Sequence, residues 1–387
     1  MKILSMLNVS NRERLGADSG VIFHRLLFER VAQKGAECVV AAPVDLGLVN
    51  VRWAPFEPGS SKYDVRFRFD WDATSRLLLA ERPDLLFVNQ VEQTSHFRAL
   101  LVTLGLPTRL ITYCHYWPVI EIDEGSLTWD ASLDHAGLAQ IILLRILTAA
   151  LASDYFFVTS VYAQSLLLRS ARHYNIDVPA ERVAILPCPA DPEFVAAKPR
   201  SFNGTDHILY NHRLYRQYGT EFFIDIARHY EHSQVKFVVT DFFGERNAER
   251  AALDIFVDQY RTTLRSMNNV IVRTDGHDRK TYRQEIVENV DIGLAPYRLN
   301  ANWSMSSVDC MGLGIPVAAP SIASFPEFVP RELLFSTRDE AIALLDRLLS
   351  DRDFWARCSV RSVEFAKRFV ADTTCQRFLE VIGGISG

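Results

Sequence analysis

Short apolar runs and stretches with helical spacing follow one another along the N-terminal half of the chain. KILSML (2–7) is a short apolar run, GVIFHRLLFERVAQKG (20–35) carries apolar residues at helical spacing, and ECVVAAP (37–43) is a second apolar run that stops at a proline. This order predicts a strand, an amphipathic helix that ends at Gly35 and a second strand, which together form a β-α-β unit.

The same alternation continues in both halves of the chain. In the first half, the further predicted strands are DLLFVNQ (84–90), RLITYCHY (109–116) and YFFVTS (155–160). In the second half, the predicted strands are HILYNHRL (207–214), QVKFVVT (234–240), NVIVRT (269–274), DIGLAPY (291–297) and PVAAP (316–320). Apolar strands separated by helices of this length are typical of parallel sheets covered by helices on both faces.

A proline-rich segment separates the two halves. Residues 183–205 read VAILPCPADPEFVAAKPRSFNGT, which is typical of a link between domains. Since a chain of 387 residues is too long for one ordinary core, we expect two domains. The predicted divisions are an N-terminal domain over 1–190, a linker over 191–204, a C-terminal domain over 205–365 and a C-terminal helical segment over 366–387. The predicted fold class is α/β, with two Rossmann-like domains that face a central cleft and C-terminal helices that pack back toward the N-terminal domain.

The composition indicates a globular protein, with 48% hydrophobic and 23% charged residues. The net charge of −5 gives no general attraction to nucleic acid or to an anionic membrane. The longest apolar segment, HAGLAQIILLRILTAALA (135–152), is interrupted by Arg145 and predicts a buried helix, so we expect no membrane insertion. The six cysteines form no C-x-x-C pair, and MKILSML has no small-residue cleavage site. We therefore expect reduced, buried cysteines and a cytoplasmic protein.

The segment WSMSSVDCMGLGIPV (303–317) carries the main candidate site. It follows a predicted strand, so its helix would begin where open parallel sheets bind ligands, beyond the carboxyl ends of their strands. A helix amino terminus holds anions such as a diphosphate through backbone N–H groups and the helix dipole. The candidate diphosphate-binding residues there are Ser304, Met305, Ser306 and Ser307, and Asp309 is a candidate acceptor for ribose hydroxyls. Alternatively, Ser304 is only a helix cap and Asp309 only a first-turn acid.

This segment resembles the donor-binding segment of GT-B glycosyltransferases of the retaining superfamily that includes glycogen synthase and sucrose synthase, the GT4 type. The shared features are the strand, loop and helix, the GIPV that follows them, and the later acid Glu327. Members of that superfamily usually carry two glutamates eight residues apart. In this chain the second position is Asp309 and the first is Ala301, so the departure from the pattern concerns contacts to the donor sugar more than contacts to the ribose.

A second segment agrees with this resemblance. ILYNHRLYRQYGTEFFIDIA (208–227) is similar to the Gly-Arg, Lys-Gly and helix signature of the superfamily. Arg213 matches the arginine, while His212 replaces the glycine and Tyr218 stands where the lysine is expected. The resemblance implies that Arg213 clamps the diphosphate, and Arg216 could replace the missing lysine. A surface position without function is the alternative for Arg213.

Two features of the N-terminal half also match. His115 follows a predicted strand at the position where these enzymes have a histidine beside the transferred sugar, and it is predicted to be catalytic together with Arg213. Ser19 and Gly20 lie between the first strand and first helix, at the place of the glycine loop of the superfamily, and are predicted to bind the donor. A structural role is the alternative for a single histidine.

The resemblance implies transfer of a sugar from a UDP- or GDP-sugar to an acceptor hydroxyl, with retention of configuration. Because the nucleotide is the leaving group, helix amides and Arg213 could stabilise its charge without a metal or other cofactor. Asp70-Trp71-Asp72 spells a metal-binding D-x-D, but its place at the start of a predicted helix favours a cap. The sequence leaves the oligomeric state open.

The acceptor is predicted from shorter matches. LLFVNQVEQTSHFRA (85–99) is similar to a region of bacteriophage DNA α-glucosyltransferases, and NHR (211–213) is similar to tRNA-queuosine mannosyltransferases. These matches indicate a hydroxymethylated base in DNA or another modified nucleic acid. LLLRSARHY (166–174) and GHDRKTYR (276–283) could follow a phosphate backbone, although solvated helix faces explain them as well. A small molecule, a lipid-linked sugar or a polysaccharide is the alternative acceptor.

Two activities of other classes stay open. The departures at Ala301 and Tyr218 fit a non-catalytic module that binds a nucleotide without turning it over. A nucleotide-sugar epimerase on a similar two-domain scaffold would convert its donor in the absence of any acceptor.

Overall fold

The structure is a computed structural model that describes residues 1–9, 15–57, 64–123, 126–130, 133–134, 137–196, 198, 200–240, 256–273 and 279–383. The chain divides into two compact units. The first comprises Met1–Trp129, Gly137–Pro189 and Ala371–Gly387, and the second comprises Asp130–Ala136 and Ala190–Val370. Each unit has a parallel sheet with helices, which confirms the predicted α/β class with two Rossmann-like domains.

The first unit is built on a seven-stranded parallel sheet. In chain order, the strands of the first unit, including two that lie outside this sheet, are β1 (Lys2–Met6), β2 (Glu37–Ala42), β3 (Val51–Pro55), β4 (Leu85–Val88), β5 (Arg109–Cys114), β6 (Val119–Asp123), β7 (Ser126–Trp129), β8 (Tyr155–Val158) and β9 (Val183–Ile185). The sheet order is β3-β2-β1-β4-β5-β8-β9, while β6 and β7 form a separate antiparallel hairpin. Ile3 of β1 pairs with Cys38 on one side and Leu85 on the other, so the strand order reverses between β1 and β4.

Helices connect these strands and cover the sheet. They are α1 (Ser19–Gln33), α2 (Asp64–Phe67), α3 (Trp71–Glu81), α4 (Thr94–Thr103), α5 (Ala139–Ala152) and α6 (Val161–His173). All four residues of β4 are buried, and every residue of β5 after Arg109 is buried. Strands buried on both faces read as continuous apolar runs, which is why the sequence pattern identifies them.

The second unit is built on a six-stranded sheet in the order β12-β11-β10-β13-β14-β15. Its strands are β10 (His207–Tyr210), β11 (Lys236–Thr240), β12 (Val270–Arg273), β13 (Ile292–Leu294), β14 (Val317–Pro320) and β15 (Leu334–Phe335). Its helices are α7 (Thr220–His229), α8 (Val257–Ser266), α9 (Arg279–Asn289), α10 (Met305–Gly312), α11 (Phe325–Phe328), α12 (Arg338–Ser350) and α13 (Arg352–Lys367). The strand order reverses between β10 and β13, and such a reversal opens a crevice at the carboxyl ends of the two strands.

The C-terminal helix α14 (Ala371–Gly383) belongs to the first unit and packs on α1. Phe378 meets Phe28 edge-on with ring centroids 6.3 Å apart, and Asp372 accepts a 3.1 Å hydrogen bond from Arg30. The prediction that the end of the chain packs back on the N-terminal domain is therefore confirmed.

Two glycines of the second unit allow close approaches of the backbone. Gly219, which precedes α7, has φ of +68°, and a Cβ there would lie 2.6 Å from the carbonyl oxygen of Tyr297. A Cβ on Gly312, at the end of α10, would lie 2.2 Å from the carbonyl oxygen of Phe194. Gly312 also accepts a 2.8 Å backbone hydrogen bond from Ala196, so α10 is held tightly against the segment that follows the predicted domain boundary.

Some elements were absent from the sequence prediction. Strand β3 is an edge strand in which only Ala54 is buried, so it lacks an apolar run, and β9 is a three-residue strand inside the proline-rich segment. The segment ERNAERAALDIFVDQYRTTLRS (245–266), whose pattern also predicts a helix, lies in part outside the described residues, and its described part contains α8. All six cysteines are free and buried, as predicted. Among the described residues, no helix is long and apolar enough to cross a membrane.

Candidate functional site

The amino terminus of α10 follows the carboxyl end of β13 through residues 295–304. Ser304 caps the helix, because its hydroxyl accepts a 3.3 Å hydrogen bond from the amide of Ser307. The two hydroxyl oxygens of Ser304 and Ser307 also lie 2.7 Å apart. Met305 and Ser306 are only partly buried, and their amides precede the first hydrogen bond of the helix, from Val308 to the Ser304 carbonyl. Anions bind to first-turn amides of this kind in other proteins, and the binding of a diphosphate at this helix start stays a prediction.

An imidazole lies against this helix end. His212 comes two residues after β10, and its Nε2 is 3.3 Å from the hydroxyl oxygen of Ser306. Burial and then the positive charge of Arg298 lower the pKa of His212 to about 3. The ring is therefore neutral at pH 7 and makes an uncharged hydrogen bond to the serine.

The cationic residues predicted for the diphosphate both follow the carboxyl end of β10. Arg213 is next to His212 at the carboxyl end of β10 and is half-buried. Arg216 is exposed, lies 3.9 Å from a Glu221 carboxylate oxygen and has its guanidinium 5.4 Å from the ring of Phe256. Their roles as phosphate ligands stay predictions.

A cation that the sequence did not single out lies on Tyr218. The guanidinium of Arg298 is 4.7 Å from the Tyr218 ring centroid and donates a 3.2 Å hydrogen bond to the Tyr218 hydroxyl. A second bond of 2.9 Å runs from Arg298 Nε to Asn300. The position where a lysine was expected is thus covered by an arginine from the loop after β13.

Asp309 is almost fully buried and paired with an arginine. Arg279, the first residue of α9, donates to both carboxylate oxygens of Asp309 at 2.6 and 3.1 Å and to Asp191 at 3.3 Å. The Arg279 guanidinium also lies 3.9 Å from the centroid of the Phe194 ring. Burial raises the pKa of Asp309, and Arg279 offsets part of that rise. A ribose hydroxyl would therefore share this carboxylate with Arg279, and the ribose-binding role stays a prediction.

The position expected to hold a first acid is apolar. Ala301 is 2% exposed, and its carbonyl oxygen accepts hydrogen bonds of 3.1 Å from the amide and 2.5 Å from the hydroxyl of Ser324. The later acid Glu327 lies in α11 and is partly exposed. A methyl group at Ala301 offers no hydrogen bond to a sugar hydroxyl.

In the first unit, His115 directly follows β5 and is exposed. Its ring lies 5.5 Å from that of Tyr116. The Tyr116 hydroxyl donates to the buried Glu92 carboxylate, which follows β4 and also accepts from Gln90. The Arg66 guanidinium completes this cluster, 3.5 Å from Glu92 and 4.6 Å from the Tyr116 ring centroid. The buried cluster fixes the start of the loop that presents His115.

The loop before α1 is organised by an acid. Asp18 caps α1 by accepting from the amides of Gly20 at 2.8 Å and Val21 at 3.3 Å, while Ser19 is exposed. The buried His24 bridges the carbonyl of Gly20 and the hydroxyl of Ser5, each at 2.8 Å. Burial lowers the pKa of His24 to about 4, although the bond to Gly20 raises it in part. Donor binding by Ser19 and Gly20 stays a prediction.

The D-x-D sequence serves as a helix cap, as the pattern favoured. Asp70 accepts a 2.9 Å hydrogen bond from the amide of Ala73 at the start of α3. Within the described ranges, no group of three or more His, Cys, Asp or Glu side chains is arranged to hold a metal ion.

The two basic segments do not present all of their arginines to solvent. In GHDRKTYR, residues 276–278 lie outside the described residues, Arg279 is committed to Asp309, and Arg283 donates a 2.6 Å bond to the Glu193 carbonyl. In LLLRSARHY, Arg169 donates to the Ile122 carbonyl, whereas Arg172 is exposed. Part of the basic character of both segments therefore serves the fold.

Sequence reasoning missed Arg298 and included Arg279 only as part of a basic segment. It treated His212 as a replaced glycine and as part of the NHR match, without a role of its own. Each lies at the carboxyl end of a strand or at the start of a helix, which is the signal that could have identified them. Their partners come from distant parts of the chain, so no local pattern indicates the pairing.

No protein-family model and no curated protein match the chain. Solved structures do match over nearly its whole length. HepE of Anabaena in complex with UDP-glucose has a TM-score of 0.71 and 14% identity, over 99% of this chain and 100% of HepE. Sucrose-phosphate synthase of Thermosynechococcus elongatus has a TM-score of 0.73 and 15% identity, over 99% of this chain and 98% of that one. The lipopolysaccharide outer core galactosyltransferase WaaB has a TM-score of 0.62 and 16% identity over the full length of both chains.

At these identities the likeness shows the fold. The chain has the GT-B fold of these proteins, which agrees with the α/β architecture described above.

Proposed function

We propose that the chain is a glycosyltransferase that moves a sugar from a nucleoside-diphosphate sugar, carrying UDP or GDP, to an acceptor hydroxyl. The observation that carries this proposal is the amino terminus of α10. It follows β13, and His212 and Arg213 follow the neighbouring strand β10. The fold is shared with HepE, whose structure contains UDP-glucose.

The mechanism follows from where charge develops. When the bond between the sugar and the diphosphate breaks, the diphosphate leaves with one more negative charge. In our proposal, the amides of the first turn of α10 and the guanidinium of Arg213 stabilise that charge, and Arg216 adds a second cation. Fixed donors of this kind need no metal, and we propose a metal-independent reaction.

The remaining roles complete the donor site. Asp309 accepts from the ribose hydroxyls with the lone pairs that Arg279 leaves unused, since a carboxylate has about four acceptor positions. The loop at Ser19 and Gly20 contacts the donor, and His115 lies beside the transferred sugar. Retention of configuration is proposed from the resemblance to the retaining GT4 superfamily.

Two acceptor classes are proposed for testing. A hydroxymethylated base in DNA is supported by the similarity of residues 85–99 to the phage enzymes. A carbohydrate hydroxyl is supported by the neighbouring folds, which include a sucrose-phosphate synthase and a lipopolysaccharide galactosyltransferase. DNA as acceptor predicts an affinity for the duplex that falls steeply with salt concentration.

The experiment is a donor panel with and without acceptor. The chain is incubated with UDP- and GDP-sugars, alone, with hydroxymethylated DNA and with mono- and oligosaccharides, and the released nucleoside diphosphate is measured. Release that needs an acceptor supports the transferase and identifies the acceptor class. Binding without turnover of any donor would instead indicate the nucleotide-binding module, and donor conversion without acceptor would indicate an epimerase.

Arg213→Ala provides the residue-level test. If Arg213 clamps the leaving group, kcat/KM for the donor falls by roughly 30–700-fold, which corresponds to about 2–4 kcal/mol of transition-state stabilisation. The matched control is Arg228→Ala, because Arg228 is an exposed arginine of the same unit that pairs with Asp225 at 3.3 Å. Equal kinetics of the two variants would remove Arg213 from the mechanism.

A further inference from the structure

His212 occupies the predicted diphosphate site without a role in the mechanism above. Its Nε2 lies 3.3 Å from the hydroxyl oxygen of Ser306, whose amide belongs to the first turn of α10. Any anion held by that turn would therefore lie close to the imidazole. A serine hydroxyl rotates freely and can donate to an anion while the ring reorients its own hydrogen bond.

The surroundings of His212 keep it neutral in the absence of a ligand. The described charged and titratable groups around it are Arg298 from the loop after β13, Tyr210 at the end of β10 with ring centroids 5.3 Å apart, and Arg213 next to it in the chain. Arg298 is fixed by Tyr218 and Asn300, so it cannot easily move away from the ring. The positive charge of Arg298 opposes a positive imidazole, and Tyr210 is buried and protonated.

A diphosphate would reverse this balance. A nucleoside-diphosphate sugar carries two negative charges on its phosphates, and an opposite charge within about 4–6 Å favours the charged form of a titratable group. The same anion also offsets the charge of Arg298, which opposes the imidazolium. The imidazolium ring, protonated on both nitrogens, would then donate two hydrogen bonds and act as a third cation at a site that lacks the expected lysine.

We propose that His212 is a ligand of the donor diphosphate and takes up one proton from solvent when the donor binds. This inference rests on the proposed function, since it requires that a nucleotide sugar binds at α10. No covalent bond changes in this step: the proton comes from water or buffer, and it returns when the nucleotide leaves. Donor affinity should therefore fall as the pH rises, by up to about tenfold per pH unit.

The test is calorimetry of UDP-glucose and of a GDP-sugar with the intact chain between pH 6 and 8, in two buffers of different ionisation enthalpy. A nucleotide sugar is suitable because both of its phosphates are esterified and exchange no proton in this range. We expect a proton uptake by the wild type that is largest at pH 6 and falls toward pH 8, and close to none by His212→Gln. Asp309→Asn, which removes a buried carboxyl group of the proposed donor site, should keep the proton uptake.

The outcomes separate the two proposals. If neither nucleotide sugar binds at any pH, the proposed function fails and this inference fails with it. If a sugar nucleotide binds with no proton uptake, or if His212→Gln takes up as many protons as the wild type, only the role of His212 is overturned. Should His212→Gln not fold, ¹⁵N-histidine NMR of the wild type decides the matter, because a ring that stays neutral in the complex contradicts the proposal.

Discussion

Arg279→Met removes the guanidinium that neutralises Asp309, and we expect it to destabilise the second unit by about 3–5 kcal/mol. Asp309 is only 2% exposed, and both of its oxygens accept hydrogen bonds from Arg279. The variant leaves a buried carboxylate without its cation, while methionine keeps part of the contact with the Phe194 ring. For a unit of this size, the loss corresponds to a decrease in Tm of roughly 6–20 °C.

The measurement is urea denaturation of the wild type, of Arg279→Met and of a control variant, and unfolding is followed by near-ultraviolet circular dichroism. The matched control is Lys280→Met, because Lys280 is the next residue of α9 and is exposed. That change should alter the free energy of unfolding by less than about 0.5 kcal/mol. In a double-mutant cycle, Asp309→Asn in the Arg279→Met background should recover part of the loss, because it removes the unpaired charge.

The deficit of Arg279→Met should also shrink at low pH. Burial raises the pKa of Asp309, and losing the arginine raises it further because the offsetting charge is gone. A carboxyl group whose folded pKa lies above its unfolded value costs stability as the pH rises through that interval, and below it the group is protonated in both states. If Arg279→Met is no more destabilising than Lys280→Met at pH 7, or if its deficit grows toward pH 4, the account of this ion pair is wrong.

Three further predictions concern the fold. The pKa of His24 is about 4 in the folded chain, against 6.5 in the unfolded chain. The contribution of its neutral ring to stability is therefore fully present above pH 6.5 and is lost as the pH falls toward 4. Over that interval the free energy of unfolding of the wild type should fall by about 3 kcal/mol more than that of His24→Gln, as measured by urea titration at each pH. Gly219→Ala should lower Tm strongly, because φ is +68° and the Cβ meets a carbonyl 2.6 Å away, whereas Gly105→Ala, with φ of +63° and open space, costs only about 1–2 kcal/mol in the same melt. Asp70→Ala should cost about 1 kcal/mol as a lost cap and leave donor turnover unchanged, and a large loss of turnover would restore the metal-binding interpretation.

The elements of the fold could be predicted from the sequence wherever their burial is continuous. Strands β4, β5 and β10 are apolar runs because helices cover both faces of each sheet, so composition alone marks them. The edge strand β3 escaped prediction because Arg52 and Trp53 are exposed and its pairing with β2 depends on backbone hydrogen bonds. Backbone pairing at an edge leaves little trace in side-chain pattern.

The candidate site was predictable only for its local part. The cap at Ser304 follows from a hydroxyl residue directly before a helix, and the structure has that cap. The partners of Asp309 are not local: Arg279 is 30 residues earlier in the chain, and a salt bridge over that separation depends on how the second unit folds. The same holds for Tyr218 and Arg298, which are 80 residues apart.

The pairing of Arg298 with Tyr218 bears on the alternative of a non-catalytic module. That alternative was motivated by two departures from the superfamily pattern, the loss of a lysine at Tyr218 and the loss of an acid at Ala301. The guanidinium of Arg298 lies over the Tyr218 ring, so positive charge is still present at that position. The aromatic ring and the Asn300 side chain hold the arginine in place, and the delocalised cation of arginine suits phosphate recognition at least as well as an ammonium group does.

The missing acid at Ala301 is then the one remaining difference in charge between this chain and the superfamily pattern. An apolar residue there removes a contact to the sugar and leaves the groups proposed for the diphosphate intact. The expected consequence is relaxed discrimination among donor sugars with turnover preserved, because the leaving group and not the sugar carries the developing negative charge. Comparable kcat/KM values for several sugars on one nucleotide would support this reasoning, and strict selectivity for a single sugar would contradict it.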